Sequence, residues 1–390
     1  MSEAPTQPGP VTGLVLSGGG ARGAYQAGVC LALGEVCREL GLPVPIGAFA
    51  GVSAGAINAA YLGAHAFDLA HGSRQLAQLW GGLTADRVFV TNPVALGATG
   101  ARWARSLSLG PLFGGTARAL LDTSPLRRLL AEHLPLASLR RNVASGRVRG
   151  VAVTAAEYST TATITFLDSG GRVAPWRRRR RFSRESELGV EHVMASAAIP
   201  VFFEPVAVDG SWFGDGCLRN TAPLSPAIHL GADRLIVVGV RRRPGPHDEV
   251  PGPLRPSLAR IASVLLNAVF FDAIDYDVER VHTMNRALAA SSPAGEPGPD
   301  APHGFDGQPL RRLSLLVIQP SENLGAIARD LFGRLPRVLR WLVQGLGTPD
   351  EASDLVSYLL FDAEYTRRLI ELGRKDGLAV RDQLAAFLTR

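Results

Sequence analysis

Two apolar runs near the amino terminus each end in glycines and lead into helical sequence. The run 11–17 predicts a buried strand followed by a helix over about 24–40. The run 46–50 predicts a second strand, followed by a tight turn at 51–55 and a helix over 54–66. Because strand, turn and helix occur twice in succession, the pattern predicts a parallel sheet covered by helices, with a site at the carboxyl ends of its strands.

Strand-like and helical patterns continue to alternate up to about residue 243. The segment 67–147 is mostly helical in pattern, with a glycine-rich interruption at 107–115 and a helix start at 123–125, where a cap precedes a proline. The later elements are predicted as strands at 148–154, 161–167, 206–213 and 235–240, a helix over 190–198, and a polar turn at 214–216. The predicted fold class is therefore a three-layer α/β/α protein with a mostly parallel central sheet.

A change in composition beyond residue 243 divides the chain. We expect a flexible tail at 1–10, a catalytic domain over 11–243 and a mainly helical C-terminal region over 244–390. The C-terminal region is expected to contain, in order, a helix over 257–290, a loop at about 291–310, one added strand at 313–318 and further helices.

Composition indicates a globular protein and argues against several classes of function. Of the 390 residues, 46% are hydrophobic and 19% are charged, which is enough to bury a large core. The net charge is only +6 and no nucleic-acid motif is present, so we expect no nucleic-acid partner. The three cysteines lack C-x-x-C spacing, and we expect neither disulfides nor a metal site. With no secretory signal and no membrane-length apolar run, the expected location is the cytoplasm, with peripheral contact at the inner membrane face left open.

The glycine-rich turn at 18–23 allows two interpretations. Gly18, Gly20 and Gly23 fit the dinucleotide fingerprint G-x-G-x-x-G, but the same backbone amides could hold an oxyanion. A dinucleotide site needs an acidic residue at the end of the next strand, whereas Glu35 and Glu39 fall within the predicted helix. No lysine follows the turn, which excludes a P-loop. A dinucleotide-binding oxidoreductase remains the less favoured alternative.

A G-x-S-x-G sequence occupies the second strand-to-helix turn. Gly51, Ser53 and Gly55 have the spacing and the context of a nucleophile elbow, in which small neighbours let the serine hydroxyl project at the start of the helix. The alternative is a serine that only caps the helix. A serine hydroxyl is a poor nucleophile, so the enzymatic interpretation requires a base nearby.

The candidate bases are one aspartate and three histidines. Asp215 lies between two glycines after an aromatic strand, where burial would raise its pKa and make it a better proton acceptor. The alternative is a turn aspartate that binds its own backbone. His229, His247 and His282 could complete a Ser-His-Asp triad, but none lies in a glycine-flanked turn.

Three blocks together resemble the signature of patatin-like phospholipases, in particular their bacterial members. The blocks are GGGARG at 18–23, GVSAG at 51–55 and DG at 215–216, in that order. Further similar segments are DTSPLRRLL from Asp122, ASAAIPVFFEPV from Ala195, RNTAPLSPAIHLGADR from Arg219 and YLLFDAEYTRRLIELG from Tyr358. The sequence departs from the family pattern at Ser17, where many members have an acidic residue, and at Cys217, where glycine or alanine is usual.

The resemblance implies a Ser/Asp dyad acting on lipid acyl esters. It makes Ser53 the nucleophile and Asp215 the base, and it places the oxyanion hole at Gly18, Gly19 and Gly20, with the amides of the last two as donors. The supporting residues would be Arg22, Gly51, Gly55 and Gly216. The implied activity resembles phospholipase A or lysophospholipase, through an acyl-enzyme, with no cofactor and no metal. A Ser-His-Asp carboxylesterase or thioesterase stays open as the alternative.

Two segments are candidates for peripheral membrane contact. Trp176 and Phe182 flank five consecutive arginines, a pattern typical either of a membrane surface or of a solvated loop. In the segment from Leu331 to Leu346, leucines alternate with arginines around Trp341, which indicates either a membrane-surface helix or a helix packed on the sheet. The expected partner is a phospholipid or another acyl-ester lipid, and pairing of subunits through the helix around 267–285 is left open.

Overall fold

The computed structural model describes residues 10–92, 119–243, 255–270, 272–291, 303 and 310–389. Several sequence predictions fall outside these residues: nearly all of the tail at 1–10, the glycine-rich interruption at 107–115, His247, and most of the loop at 291–310.

The described residues contain one mixed sheet of ten strands. The strands are β1 (Val11–Leu16), β2 (Ala48–Val52), β3 (Gly150–Glu157), β4 (Thr163–Asp168), β5 (Arg177–Arg178), β6 (Arg181–Glu185), β7 (Val206–Val208), β8 (Ser211–Asp215), β9 (Ala232–Val238) and β10 (Ser314–Ile318). Their order is β10-β9-β1-β2-β3-β4-β6-β5, and the β7–β8 hairpin joins at β3. The five strands from β10 to β3 are parallel, and β4 pairs with β3 in the antiparallel sense. The added C-terminal strand is thus an edge strand of this same sheet.

Helices cover both faces of the sheet. The first helices are α1 (Gly23–Glu39), α2 (Ala54–Ala64), α3 (Leu69–Gly81), α4 (Ala85–Val88), α5 (Ser124–His133), α6 (Leu136–Ala144), α7 (Val190–Ser196) and α8 (Ser225–His229). The others are α9 (Leu258–Phe270), α10 (Asp272–Ser291), α11 (Leu324–Asp330), α12 (Arg337–Leu346), α13 (Ser353–Leu359), α14 (Ala363–Ala379) and α15 (Arg381–Thr389). Alternate strand residues enter two cores: Leu14 and Leu16 face the α1–α2 side, whereas Val15 faces the α8 and α10 side. The predicted three-layer α/β/α class is confirmed.

The structure corrects two local predictions. The single strand expected at 206–213 is a hairpin, because Asp209 and Gly210 both have positive φ and reverse the chain between β7 and β8. Asp215 is the last residue of β8 and not part of a free turn. The helix expected over 257–290 is described as α9 and α10, and residue 271 between them lies outside the described residues. Each correction depends on backbone geometry that hydropathy alone does not specify.

The C-terminal helix α14 packs directly on α1, the helix that follows the glycine-rich turn. A Cβ atom added to Gly28 would lie 2.2 Å from the Ile370 carbonyl oxygen, and one added to Gly373 would lie 2.1 Å from the Tyr25 oxygen. The Tyr25 hydroxyl donates to Asp376 over 3.0 Å across the same interface. The two helices can approach this closely because both contribute glycine at the crossing, so the C-terminal region shares a core with the sheet.

We expect Gly28→Ala to lower the free energy of unfolding by about 2 kcal/mol, because the new methyl group must push α14 away from α1. Denaturant unfolding measures this change. The matched control is Gly345→Ala in α12, where nothing lies within 4 Å and alanine is the better helix former. Equal stability of Gly28→Ala and the parent protein would show that the helix crossing is not closely packed.

Candidate active site

Strand β3 places Ser53 and Asp215 next to each other. Strand β2 runs parallel along one flank of β3 and ends with Val52 opposite Thr154. Strand β8 arrives antiparallel and ends with Asp215 opposite Ala155. Because β4 occupies the other flank of β3, β2 and β8 lie end to end on the same flank. The residue after β2 and the last residue of β8 therefore meet at the carboxyl edge of the parallel strands.

Ser53 adopts a strained turn that presents its side chain at the start of α2. Its φ of 56° is in a region that non-glycine residues avoid, at a cost of about 1–3 kcal/mol. Its backbone N–H donates to the Ser196 hydroxyl over 2.9 Å, and that hydroxyl donates to the Thr154 carbonyl over 2.6 Å. The buried Ser196 therefore ties the strained turn to β3. The sequence analysis assigned no role to this residue.

The glycine-rich turn lies directly against the serine turn. A Cβ atom on Gly55 would lie 2.2 Å from the carbonyl oxygen of Leu16, so α2 begins in contact with the end of β1. Gly51 lies equally close to the backbone of Gly55. Gly20 has a φ of +56°, and a Cβ atom there would lie 2.4 Å from the Tyr358 carbonyl oxygen. Only glycine fits that position without displacing the backbone of α13.

The first two glycines of the turn have different neighbours. Gly19 lies against the side chain of Val240, just beyond β9. Burial raises the pKa of the Cys217 thiol well above its usual value, while the nearby Gly18 N–H acts to lower it. Gly18 therefore lies close to the Cys217 thiol, one of the two positions at which the sequence departs from the family pattern.

Asp215 is fully buried, and its two carboxylate oxygens have different surroundings. Oδ1 accepts from the Cys217 N–H over 2.9 Å, in a turn that begins at Gly216. Oδ2 makes no hydrogen bond of standard geometry with the described residues. Burial raises the pKa of Asp215 from its usual 3.8 to about 6, and the hydroxyl of the nearby Ser53 limits the rise. A carboxylate with this pKa is ionised at neutral pH and is a stronger base than one in water.

An apolar pocket opens at Ser53. Apart from Ser53, its lining is apolar or aromatic among the described residues: Gly20, Ala54, Ile57, Leu79, Trp80, Leu83, Val88, Leu126, Leu129, Leu130, Ala197, Ile199, Phe203 and Phe361. The apolar lining suits a hydrocarbon chain whose polar group lies near the hydroxyl.

Arg22 is buried and bound to the C-terminal region. Its Nε donates to the Ser357 hydroxyl and its Nη2 to Asp354, each over 2.7 Å, and its guanidinium lies 5.0 Å from the centre of the Tyr358 ring. Burial acts to raise the pKa of Asp354, but the charge of Arg22 holds that pKa below its usual value. These contacts indicate that Arg22 braces the glycine-rich turn against α13.

A buried hydrogen-bond network supports the same turn from inside. The Gln26 amide donates to the Ser17 carbonyl over 2.7 Å, and Asn58 donates to the Gln26 side-chain oxygen over 3.0 Å. Trp80, a wall of the pocket, donates to Asn58 over 2.7 Å. The sequence analysis did not identify Gln26, Asn58 or Trp80. The sequence did hold a signal for this network, namely one polar residue on the apolar face of each helix: Gln26 on α1 and Asn58 on α2.

His229 and His282, the two candidate histidines that the structure describes, form no hydrogen bond with Ser53. His229 precedes β9, so it lies near the amino ends of the parallel strands, at the opposite edge from Ser53, and stacks on Trp176 with ring centres 4.2 Å apart. His282 is exposed on α10. None of the hydrogen bonds of Ser53 or Asp215 in the described structure involves a histidine. A Ser-His-Asp arrangement has no support from these residues.

The two segments predicted to contact membranes have different structures. Trp176 is only 7% exposed under its stack on His229, so the arginine-rich segment lacks the expected surface tryptophan and instead forms the β5–β6 hairpin. In the other segment Leu335 and Leu339 are buried, whereas Trp341 is 72% exposed. No helix among the described residues has both the length and the apolar character needed to cross a bilayer. The described residues also contain no cluster of acidic, histidine or cysteine side chains fit to hold a metal ion.

A serine on a strained strand-to-helix turn, beside a glycine-rich turn at the carboxyl edge of a parallel sheet, is typical of α/β serine hydrolases. The chain belongs to the patatin-like phospholipase family, whose model matches residues 14–228, more than half of its length. Membership implies a lipid hydrolase.

Comparison with solved structures gives distant matches, and comparison with curated proteins gives no significant one. VipD from Legionella pneumophila matches with 13% identity and a TM-score of 0.37, over 97% of this chain and 68% of that one. Human GIVD cytosolic phospholipase A2, solved in complex with methyl gamma-linolenyl fluorophosphonate, matches with 15% identity and a TM-score of 0.43, over 97% and 58%. The type III effector ExoU matches with 14% identity and a TM-score of 0.36, over 97% and 54%. The chain thus spans little more than half the length of the last two.

We expect Asp354→Ala to lower the free energy of unfolding by about 3 kcal/mol, because it leaves the Arg22 guanidinium buried without its carboxylate partner. The double variant Arg22→Met with Asp354→Ala is expected to be more stable than Asp354→Ala alone, since it removes the unpaired charge. Denaturant unfolding of the three proteins measures both differences. A double variant less stable than Asp354→Ala would contradict the ion pair as the brace of the glycine-rich turn.

Proposed function

We propose that this protein hydrolyses acyl esters of lipids, in the manner of a phospholipase A or lysophospholipase, with Ser53 as nucleophile and Asp215 as general base. The observation that carries the proposal is the end-to-end meeting of β2 and β8 on β3, which brings the serine and the carboxylate together at an apolar pocket. The pocket would hold the acyl chain and thereby place the ester carbonyl at the Ser53 hydroxyl.

In the first half of the reaction, the Ser53 oxygen attacks the ester carbonyl carbon while its proton moves to Oδ2 of Asp215. That oxygen is suited to the task because the described residues give it no other hydrogen bond. The tetrahedral intermediate then expels the alcohol, which takes the proton from Asp215. The acyl group remains on Ser53 as an ester.

The second half releases the fatty acid. Asp215 accepts a proton from water, the hydroxide oxygen attacks the acyl carbonyl, and the proton returns to the Ser53 oxygen as it leaves. In both halves the negative charge on the carbonyl oxygen would be held by the backbone N–H groups of Gly19 and Gly20, at about 3 kcal/mol for each donor. Gly18, the first glycine of the same turn, lies close to Cys217 and would help to shape the turn. None of these steps calls for a metal ion or an organic cofactor.

We expect a fluorophosphonate probe to label Ser53 and Ser53→Ala to abolish both labelling and ester hydrolysis. Asp215→Asn is expected to reduce hydrolysis about 10²-fold or more, because an amide cannot accept the serine proton. Peptide mapping by mass spectrometry and an assay with a fluorogenic lipid ester measure these effects.

The matched control for Asp215→Asn is Asp209→Asn, an exposed position at the turn of the same hairpin. Full activity of Asp215→Asn, or a labelled peptide that lacks Ser53, would overturn the assignment. Loss of activity in His229→Ala with an unchanged fold would favour the Ser-His-Asp alternative.

The pH dependence of kcat/KM gives a separate prediction. A base must be unprotonated to act, and the pKa of Asp215 is raised to about 6. Activity should therefore be at its plateau above this pKa and fall tenfold per pH unit below it. A rate profile from mildly acidic to neutral pH measures the apparent pKa. A plateau that extends unchanged down to the ordinary aspartate pKa of about 4 would exclude a buried carboxylate as the base.

A further inference from the structure

Two buried side-chain amides hold the glycine-rich turn at both of its ends. At the start of the turn, Nε2 of Gln26 donates to the Ser17 carbonyl over 2.7 Å and to the Val238 carbonyl, the last of β9, over 3.4 Å. At its end, Nδ2 of Asn58 donates to the Gly23 carbonyl over 3.1 Å. Both amides are completely buried, so these hydrogen bonds are made away from competing water.

The same two amides connect the turn to the helix that carries the candidate nucleophile. Gln26 lies on α1, which follows the turn, whereas Asn58 lies on α2, which starts directly after Ser53. Asn58 bridges the two helices, because its Nδ2 donates to the Gln26 side-chain oxygen over 3.0 Å as well as to the Gly23 carbonyl. These hydrogen bonds therefore restrain the separation between the Ser53 turn and the glycine-rich turn.

The peptide group between Ser17 and Gly18 carries this restraint into the glycine-rich turn. Because a trans peptide group is planar, holding the Ser17 carbonyl also fixes the direction of the Gly18 N–H on the opposite side. The next two peptide groups carry the amides of Gly19 and Gly20, and glycine itself places little steric limit on the backbone dihedrals there. Groups outside the turn must therefore supply the order that its glycines lack.

Trp80 links the two amides to the apolar pocket. Its Nε1 donates to the Asn58 side-chain oxygen over 2.7 Å, and its ring lies on Gly23, where an added Cβ atom would be 2.8 Å from two ring carbons. The same side chain lines the pocket at Ser53. An acyl chain in the pocket would therefore pack on the side chain that holds Asn58.

We propose that Gln26 and Asn58 are positioning residues for the proposed reaction, and that Trp80 makes their action depend on the bound acyl chain. The two amides set the distance between the Ser53 oxygen and the backbone amides proposed to hold the oxyanion. A chain packed on Trp80 keeps its indole N–H on Asn58, which in turn holds Gln26 and the end of the turn. Binding of the chain, remote from the ester, thereby stabilises the transition state. This inference rests on the proposed function, since it requires Ser53 as the nucleophile.

The experiment separates kcat from KM for a fluorogenic lipid ester in variants that lack one of the amides. Gln26→Met and Asn58→Leu keep the approximate side-chain volume but cannot hold the carbonyls of the turn. Each is expected to lower kcat about tenfold or more, because a misplaced oxyanion donor stabilises the transition state less. KM is expected to stay within about twofold, since the lining of the pocket is unchanged.

A tetrahedral adduct provides a second measurement that does not depend on turnover. An alkyl trifluoromethyl ketone adds to a serine hydroxyl and places a negatively charged oxygen where the oxyanion forms. Its affinity for Gln26→Met and Asn58→Leu is expected to fall by about the same factor as kcat/KM, because both quantities report transition-state stabilisation. A loss of kcat with unchanged affinity for the ketone would overturn the proposal.

Asn142→Leu is the matched control for Asn58→Leu. Asn142 is also a buried amide that holds α2, but it donates to the Gly63 and Ala64 carbonyls at the other end of that helix, over 3.0 Å each. Its replacement is expected to lower the unfolding temperature to a comparable extent and to leave kcat near the parent value. Equal losses of kcat in the two variants would show that both amides act through stability alone, which would overturn the positioning role.

Trp80→Phe tests the link to the acyl chain, and it replaces the amide variants if these fail to fold. It keeps an aromatic wall in the pocket and removes the indole N–H from Asn58. In the parent protein kcat is expected to rise with the length of the acyl chain, whereas in Trp80→Phe it should change much less with chain length. The same dependence on chain length in both proteins would overturn the role of Trp80.

Failure of this inference is distinguishable from failure of the proposed function. Hydrolysis that persists in Ser53→Ala would overturn the proposed function. Fluorophosphonate labelling of Ser53, together with parent values of kcat in Gln26→Met and Asn58→Leu, would leave the proposed function standing and overturn only the role of the two amides.

Discussion

The candidate site depends on one constraint, which is that two strands from distant parts of the chain share one flank of β3. Strand β2 stops at Val52 and β8 stops at Asp215, on neighbouring residues of β3. Because side chains alternate along a strand, a slip of β8 by one residue would turn a glycine toward Ser53 and the carboxylate away. The register of the β7–β8 hairpin on β3 therefore decides whether the Asp215 carboxylate faces Ser53.

The C-terminal region belongs to the architecture of the site. The glycine-rich turn is in contact with α13 through the backbone of Tyr358 and is tied to it by the ion pair of Arg22 and Asp354. The same turn begins α1, on which α14 packs closely. A positive φ at Gly20 and at Ser53 persists only where the surroundings leave no alternative. Gly20 is held by the backbone of α13, whereas Ser53 is held by Ser196.

Local patterns predicted the repeated strand-turn-helix units, the three-layer class and the residues of the glycine-rich and serine turns, because each is encoded in a short stretch of sequence. The β7–β8 hairpin was not predicted, since it depends on the backbone dihedrals of Asp209 and Gly210. Ser196 and the Gln26–Asn58–Trp80 network were missed for a different reason. Their roles arise from partners that only the folded chain brings near, as do the contacts of Arg22 with Ser357 and Asp354.

The proposed chemistry depends on how far burial raises the pKa of Asp215. Without compensation, a carboxylate removed from water becomes protonated and is lost as a base. Here one oxygen is satisfied by the Cys217 N–H, the other is left for the Ser53 hydroxyl, and the pKa settles at about 6. Raising the pKa from 3.8 to about 6 corresponds to about 3 kcal/mol of free energy against the ionised carboxylate. The carboxylate is therefore a stronger base, and it is still ionised at neutral pH. An acyl chain that fills the neighbouring pocket would remove further water from the carboxylate and strengthen the base again, so substrate binding and base strength are coupled through one apolar space.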